Sequence, residues 1–493
     1  MEYLDLINQN IDENKEQLLQ TLQELIAIKS VAEDTEGEMP FGEGVQKAFS
    51  YMLETAKKEG FPVKNTDNYG GHIELKGESD RVMGIVGHLD VVPEGSGWEE
   101  EPYGGVIKDG VIYGRGTMDD KGPVVASFYA MKAVKDSGVP LKDSVRLILG
   151  LDEETNWKGM EHYLSKVSAP DYGFTPDGDF PAIHGEKGIL VFDLAKKFAP
   201  ASEKGLELRG LTGGNAANMV ADSARAVVRD SSGAGYEEIR EKAARFSAEK
   251  QARLKCKGVG KSLEITAQGV SAHGAKPEQG VNAISVMMEF LGHLNFAGDD
   301  VNDFIAFYNS KIGFELDGRS LGCGFADEPS GSLVLNVGMI RLDSEAVSLT
   351  INVRYPVTSS AEAVYEAIRP AADEYNLGIV KGKHEEPIYI PADDPMIVTL
   401  MDIYKRQTGD MDSKPLVIGG GTYARAMKNV IAFGARFPGQ PELEHQKNEC
   451  VSIENLMKMT RIYAEAIYRL AGAEPETGNG GEEGSMENPA AKI

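Results

Sequence analysis

An α/β fold is predicted, with a mostly parallel sheet and flanking helices forming one domain into which a large α+β domain is inserted. Three observations lead there. Short apolar, strand-like runs alternate with helix-length amphipathic segments through the first part of the chain. From about Glu186 the texture becomes strand-rich, and after Pro387 the α/β alternation resumes.

Residues Met1 to Ser30 open the chain with Leu18, Leu22, Leu25 and Ile26 at helical spacing among Glu2, Asp5, Asp12 and Glu13. This reads as one amphipathic helix and lacks the apolar core of a signal peptide. Val82 to Gly87 follows as a strand, Pro123 to Asp136 as a helix, Val145 to Leu151 as a strand and Trp157 to Val167 as a helix. In sheets of this wiring functional groups collect just beyond the carboxyl ends of strands, where His88, Glu153, Glu154 and Asp177 fall. The inserted region has strand patterns at Gly188 to Leu194, Ser262 to Ala267, Ser332 to Val337 and Val347 to Val353, with helices near Gly280 to Leu294 and Ala361 to Tyr375. A helix around Met396 to Thr408, strands at Leu416 to Ile418 and Ile431 to Gly434, and a helix from about Ile453 to Leu470 complete the first domain. The expected organisation is therefore 1–185 and 386–472 as a discontinuous catalytic domain, 186–385 as the insertion, and 473–493 as a disordered acidic tail with almost no apolar content.

The chain has 493 residues, 41% hydrophobic and 26% charged, which suits a globular protein of roughly two or three domains. A formal charge of −26 repels phosphate backbones and anionic lipid, so nucleic acid and membrane surfaces are poor partners. No run is long enough to span a bilayer. Cys256, Cys323 and Cys450 are odd in number and widely spaced, which suggests neither a disulfide framework nor a thiolate metal site and fits a reducing cytoplasm.

The residue types beyond the strands are those of a two-metal hydrolase: imidazole nitrogen and carboxylate oxygen as ligands, with one carboxylate left to carry a proton. In Gly87-His88-Leu89-Asp90 the i, i+2 spacing puts His88 and Asp90 on one side of an extended chain, so Asp90 can orient the imidazole. Tyr113 to Pro123 is a glycine-rich loop delivering Asp119 and Asp120 to a helix start, where simple N-capping is the plainer use. Asp152-Glu153-Glu154 could likewise be an acidic helix start. The set as a whole favours the metal reading. Two divalent ions carry +4, balanced by Asp119, Glu154, Asp177 and one hydroxide, and Glu153 is left over as a base. Gly419 to Ala424 matches G-x-G-x-x-A, a weak dinucleotide signal that would leave the His and Glu residues without a role.

Taken together, GHLDVVP, YGRGTMDDKGP, DEETNWKGM, the Pro-Asp of FTPDG, SAHGAKP, INVRYP, EEPIYIPADDP and VIGGGTYAR resemble the co-catalytic zinc peptidases that include aminoacylase, carnosinase and carboxypeptidase G, and most nearly their peptidase V-type dipeptidases. The resemblance runs over about residues 1 to 472. It implies two divalent ions, zinc first with manganese or cobalt as alternatives. His88 and Asp177 would hold one, His445 and Glu154 the other, and Asp119 would bridge them. Glu153 would be the general base acting on a hydroxide shared by the ions, with Asp90 supporting His88. The insertion would be a lid hinged near residues 185 and 386, with His273 as oxyanion donor, Asn218 and Arg354 gripping the substrate backbone, and Gly420, Gly421 and Thr422 forming a close wall. A cis peptide between Asp119 and Asp120 is also implied. The implied activity is cleavage of unmodified dipeptides by a monomer. An aminoacylase or carboxypeptidase acting on N-acylated amino acids, or a non-catalytic peptide-binding relative, are the alternatives.

Overall fold

The computed structural model describes residues 2–200, 204–231 and 235–473. The expected tail lies outside them from residue 474 onward. The chain forms two compact units, one of the residues up to Pro176 together with those from Pro441, the other of Asp177–Gln440.

In chain order the first unit contributes α1 (Glu2–Glu13), α2 (Lys15–Ile26), α3 (Glu43–Lys58), β1 (Val63–Asn65), β2 (Gly71–Leu75), β3 (Val82–His88), β4 (Val106–Lys108), β5 (Val111–Tyr113), α4 (Lys121–Asp136), β6 (Ser144–Gly150), α5 (Lys158–Lys166) and β7 (Tyr172–Thr175). The second unit begins with β8 (Ala182–Glu186), β9 (Gly188–Lys197), β10 (Leu206–Gly213), β11 (Ser223–Asp230), α6 (Glu237–Lys250), β12 (Arg253–Val259) and β13 (Ser262–Gln268). It continues through α7 (Ala283–Leu291), α8 (Asp299–Lys311), the hairpin β14 (Ala326–Asp327) and β15 (Gly331–Ser332), β16 (Val334–Leu342), β17 (Ala346–Tyr355), α9 (Ala361–Glu374) and β18 (Gly378–Glu385). It closes with β19 (Ile388–Tyr389), α10 (Pro395–Thr408), β20 (Leu416–Ile418) and β21 (Val430–Phe433); β22 (Cys450–Ser452) and α11 (Ile453–Ala471) return to the first unit.

The expected single helix over Met1–Ser30 is two helices. Asn14 leaves helical backbone (φ −91°, ψ 4°) and its side-chain amide donates to Asn10 O at 2.7 Å, the local competition that makes Asn a poor helix-interior residue.

In the first unit the strands run in the order β1-β2-β6-β3-β7. β3 is parallel to both β6 and β7, while β2 is antiparallel to β6 and to β1. β3 and β6 are buried nearly throughout, as strands covered on both faces must be. α4 packs against β3, α1, α2 and α11, which explains why apolar side chains point in almost every direction around it. His88 is thereby set at the carboxyl end of a buried central strand. Beside it, Gly87 leaves room that a Cβ would remove: that atom would lie 2.6 Å from Asp120 Oδ2 and 2.5 Å from Val124 Cγ2.

The second unit holds an eight-stranded antiparallel sheet in the order β12-β13-β11-β10-β16-β17-β9-β18, with α6, α7, α8 and α9 supplying apolar partners for its core. It also holds β8, flanked by β19 and β21 antiparallel and by β20 parallel. The chain passes between the two strand groups twice, at Glu186–Gly188 and at Glu385–Ile388. Among the described residues no helix is long and apolar enough to cross a membrane.

Candidate metal centre and substrate groups

Each acidic or imidazole group of the first unit arrives from a strand end or a tight loop. His88 ends β3 with its ring fully buried; Nδ1 lies 3.0 Å from the Asp90 carbonyl oxygen and 3.4 Å from Asp90 Oδ1. Donation from Nδ1 leaves Nε2 facing Asp119 Oδ1 at 3.0 Å. The other oxygen, Asp119 Oδ2, lies 3.0 Å from His445 Nε2, which is also 3.0 Å from both oxygens of Glu154. One carboxylate thus spans two imidazoles, each presenting Nε2.

The expected role of Asp90 takes a different form. Its carboxylate oxygens accept the backbone N–H groups of Glu153 (3.1 Å) and Glu154 (3.0 Å), while the backbone carbonyl is the nearer partner of the His88 ring. Asp90 therefore clamps the loop after β6 as well as lying beside the imidazole. Trp157, in left-handed backbone (φ 59°), closes that loop by donating Nε1–H to Glu153 O at 2.7 Å. An oxygen of Glu153 lies within 4.8 Å of a His88 ring nitrogen. The Asp119–Asp120 peptide is cis, and Asp120 Oδ2 accepts the His88 backbone N–H at 3.1 Å. Asp177 stands two residues beyond the end of β7, as the first residue of the second unit.

The electrostatics are those of anions and imidazoles sharing protons. Burial opposes charge on His88, but the hydrogen bonds to Asp119 and Asp90 outweigh it and lift the ring well above its ordinary value. Hydrogen bonds to Asp119 and Glu154 raise exposed His445 to about 11. Burial raises Glu154, and the same two histidines draw Asp119 down against its burial. Ligand atoms of His88, Asp119 and Glu154 all lie within 4.8 Å of one another, and the donor set, nitrogen and carboxylate oxygen with a second partner on the His88 ring, fits a borderline divalent ion.

Sequence reasoning missed Glu449, Arg115 and Lys121. Glu449 is fully buried and accepts backbone N–H groups from the loop that carries Asp119; burial, then the charge of Asp119, raises its carboxyl to about 7. Arg115 pairs with it at 2.6 Å and lies over the Trp98 ring, 5.3 Å from its centroid. Lys121 donates from Nζ to Leu25 O (3.0 Å) and Ile28 O (2.7 Å), holding the end of α2, and burial pushes it down to about 7. The lone sequence signal for Glu449 is an acidic residue directly before the apolar start of β22.

The second unit gathers the remaining expected residues around one another. Gly274 donates to Asn218 O at 2.7 Å, and Met219 bridges His273. A Cβ on Gly274 would meet the Asn218 carbonyl oxygen at 2.8 Å, which is why glycine follows His273. His273 Nδ1 accepts the Ala275 N–H at 3.2 Å, so the neutral ring carries its proton on Nε2. Burial, with Arg354 and Lys276 nearby, keeps that ring below its ordinary pKa. Arg354 is buried and donates from Nε to Asn352 Oδ1 at 3.0 Å; burial and then Arg425 push it down to about 10. Gly419 lies against Ala275, where an added Cβ would come within 3.2 Å of the alanine methyl.

Gly419–Thr422 leads into a four-residue 3-10 turn, Tyr423–Ala426, and not into the helix that a dinucleotide-binding loop opens. Buried Glu186 accepts the Thr422 hydroxyl at 2.6 Å and pairs with Arg425 Nε at 2.8 Å. Arg425 also donates to Lys187 O, Glu386 O and Gly420 O, so both crossings between the strand groups and the glycine loop are tied to one guanidinium. A buried carboxylate at this loop and the absence of a following helix remove the features a pyrophosphate needs, and the dinucleotide reading is discarded.

The model of peptidase family M20/M25/M40 matches residues 84–469. "Putative dipeptidase YtjP" of Bacillus subtilis (strain 168) is 39% identical over 462 residues, covering 93% of this chain and 98% of that one. "Putative dipeptidase" of Staphylococcus epidermidis is 37% identical over 93% of this chain and 98% of its own. Among solved structures, aminoacylhistidine dipeptidase from Vibrio alginolyticus superposes with a TM-score of 0.57 at 16% identity, covering 93% of this chain and 97% of that one, a likeness of fold.

Proposed function

This chain belongs to peptidase family M20/M25/M40, and from that membership we propose that it is a metal-dependent dipeptidase acting on free, unmodified dipeptides. The observation that carries the reading is the Asp119 carboxylate, whose two oxygens each face the Nε2 of a different histidine at 3.0 Å. A carboxylate so placed suits two ions sharing one ligand.

The ligands we propose are His88 and Asp177 for one ion, Glu154 and His445 for the other, and Asp119 for both, with Asp177 included on its Pro-Asp motif. Zinc is the first choice, and manganese or cobalt suit the same donors. When bound, two such ions acidify water and polarise the scissile carbonyl. Glu153 takes the proton released by water and returns it to the leaving amine; its backbone is held by Asp90 and by Trp157, so the carboxylate is presented from a fixed loop. His273, with its proton on Nε2, donates to the oxygen that gains charge. Arg354, a buried cation, pairs with the substrate carboxylate, Asn218 holds the substrate backbone, and Gly420, Gly421 and Thr422 line its side. The relatives' names support peptide substrates. We propose further that it works as a monomer in the cytoplasm; three free cysteines suit a reducing compartment.

The deciding experiment is amino-acid release from a dipeptide panel, with N-acetylated and tripeptide counterparts, by metal-loaded wild type and Glu153→Ala. Release from free dipeptides alone, lost in the variant, is expected. Release from acylated substrates instead makes the protein an aminoacylase or carboxypeptidase, and silence across the panel makes it a peptide-binding relative.

A further inference from the structure

Glu449 lies four residues beyond His445, with no exposed surface, and takes no part in the reaction proposed above. Its Oε1 accepts the N–H groups of Met118 (2.9 Å) and Asp119 (3.2 Å), and both oxygens lie 3.1 Å from the Gly116 nitrogen. Arg115 Nη1 pairs with Oε2 at 2.6 Å. The main chain is engaged too: Glu449 O accepts the Gly114 N–H at 3.0 Å, and the next residue, Cys450, pairs with Tyr113 across β22 and β5. A buried carboxylate is costly unless its lone pairs are met, and here the partners are three amides of one loop, those of Gly116, Met118 and Asp119, and a guanidinium. Those amides belong to the segment that ends in Asp119. Arg115 is buried as well, between Glu449, the Trp98 ring and Pro93 O at 3.4 Å.

We propose that Glu449 is a positioning residue: it holds the Gly114–Asp119 loop in ligand-ready form before any ion arrives, and ties that loop to the segment bearing His445. The proposal rests on the reading of Asp119 and His445 as metal ligands. Its physical content is preorganisation. A loop already fixed by its amides loses little conformational freedom when an ion binds, so removing the anchor weakens binding without touching a ligand.

Two measurements test it. In metal-free wild type, amide hydrogen exchange across Gly116, Met118 and Asp119 is expected to be slower than in an unpaired loop by at least about 100-fold. Exchange as fast as in exposed loops overturns the proposal, and this measurement needs no variant to fold. In the second, zinc affinity is read by chelator competition for Glu449→Gln, which keeps an acceptor oxygen and loses the charge facing Arg115. The expected loss is about 10- to 100-fold. Ile467→Val, in the core of α11, lowers the melting temperature and leaves zinc affinity unchanged. Wild-type zinc affinity in folded Glu449→Gln overturns the proposal. If wild type itself binds no zinc, manganese or cobalt, the ligand reading fails, and the exchange rates still decide whether Glu449 anchors the loop.

Discussion

Asp90 holds Glu153 from behind: its Oδ1 accepts the Glu153 backbone N–H at 3.1 Å, while Oδ2 does the same for Glu154. A single side chain thus places both the proposed base and a proposed ligand, and it does so next to His88. Asp90→Asn presents an amide N–H where an acceptor is needed, which opposes two donors across one contact. Turnover is expected to fall about 10- to 100-fold together with metal retention. Steady-state kinetics and metal analysis check this; normal turnover in the variant would show that the clamp is idle.

Glu153→Ala removes a carboxylate and leaves the loop's backbone contacts to Asp90 in place. Metal content should stay near normal while kcat drops by about 10²- to 10⁴-fold, the scale of a lost general base. Comparable activity would sink the assignment.

His273→Ala should depress kcat by about 10²- to 10³-fold, as for a missing oxyanion donor. His273→Gln, which keeps an N–H, recovers part of the loss. A change confined to KM would reduce His273 to a substrate-holding residue.

Metal binding is expected to release protons and to tighten as pH rises through the neutral range. In the metal-free protein His88 stands well above its ordinary pKa and His445 is raised from 6.5 to about 11, whereas ligation needs both rings neutral. The same shifts set the sign for stability. A raised folded-state pKa contributes stability below 6.5 that is lost as pH climbs toward about 11, so the metal-free protein should weaken on the alkaline side through this pair. Chelator competition at about pH 6, 7 and 8 and melting curves of the metal-free protein check the two halves. Affinity that is flat in pH would show that the rings are already neutral.

Much of the fold was legible because its signals are local. Leu416–Ile418 and the start of Ile453–Ala471 fall where the apolar runs put them, and α4 reads as helix because it is apolar on nearly every side. The break at Asn14 was not legible, since the apolar spacing continues across it and the interruption shows only in the Asn14 backbone and its side-chain bond to Asn10 O. In the candidate site, the sequence singles out His88, Asp119 and Glu154 because each sits at a strand end or glycine-rich loop within a recognisable string, and the structure places their ligand atoms within 4.8 Å of one another. The sequence does not single out Glu449 or Glu186. Their partners are backbone amides, a hydroxyl and arginines brought in from distant segments, and no spacing in the sequence records a contact between residues 449 and 118 or between 186 and 422.

The chain contains two tryptophans, and each is fastened to a loop of the candidate centre: Trp157 by its N–H to Glu153 O, Trp98 by its face to Arg115. The protein's indole emission is therefore a local optical gauge. Light excited in the ultraviolet and emitted by this chain comes, apart from its tyrosines, from two rings pressed against the segments that bear Glu153 and the partner of Glu449. Loading of an ion can be followed in the fluorimeter on the unmodified protein, with no dye attached and no residue replaced.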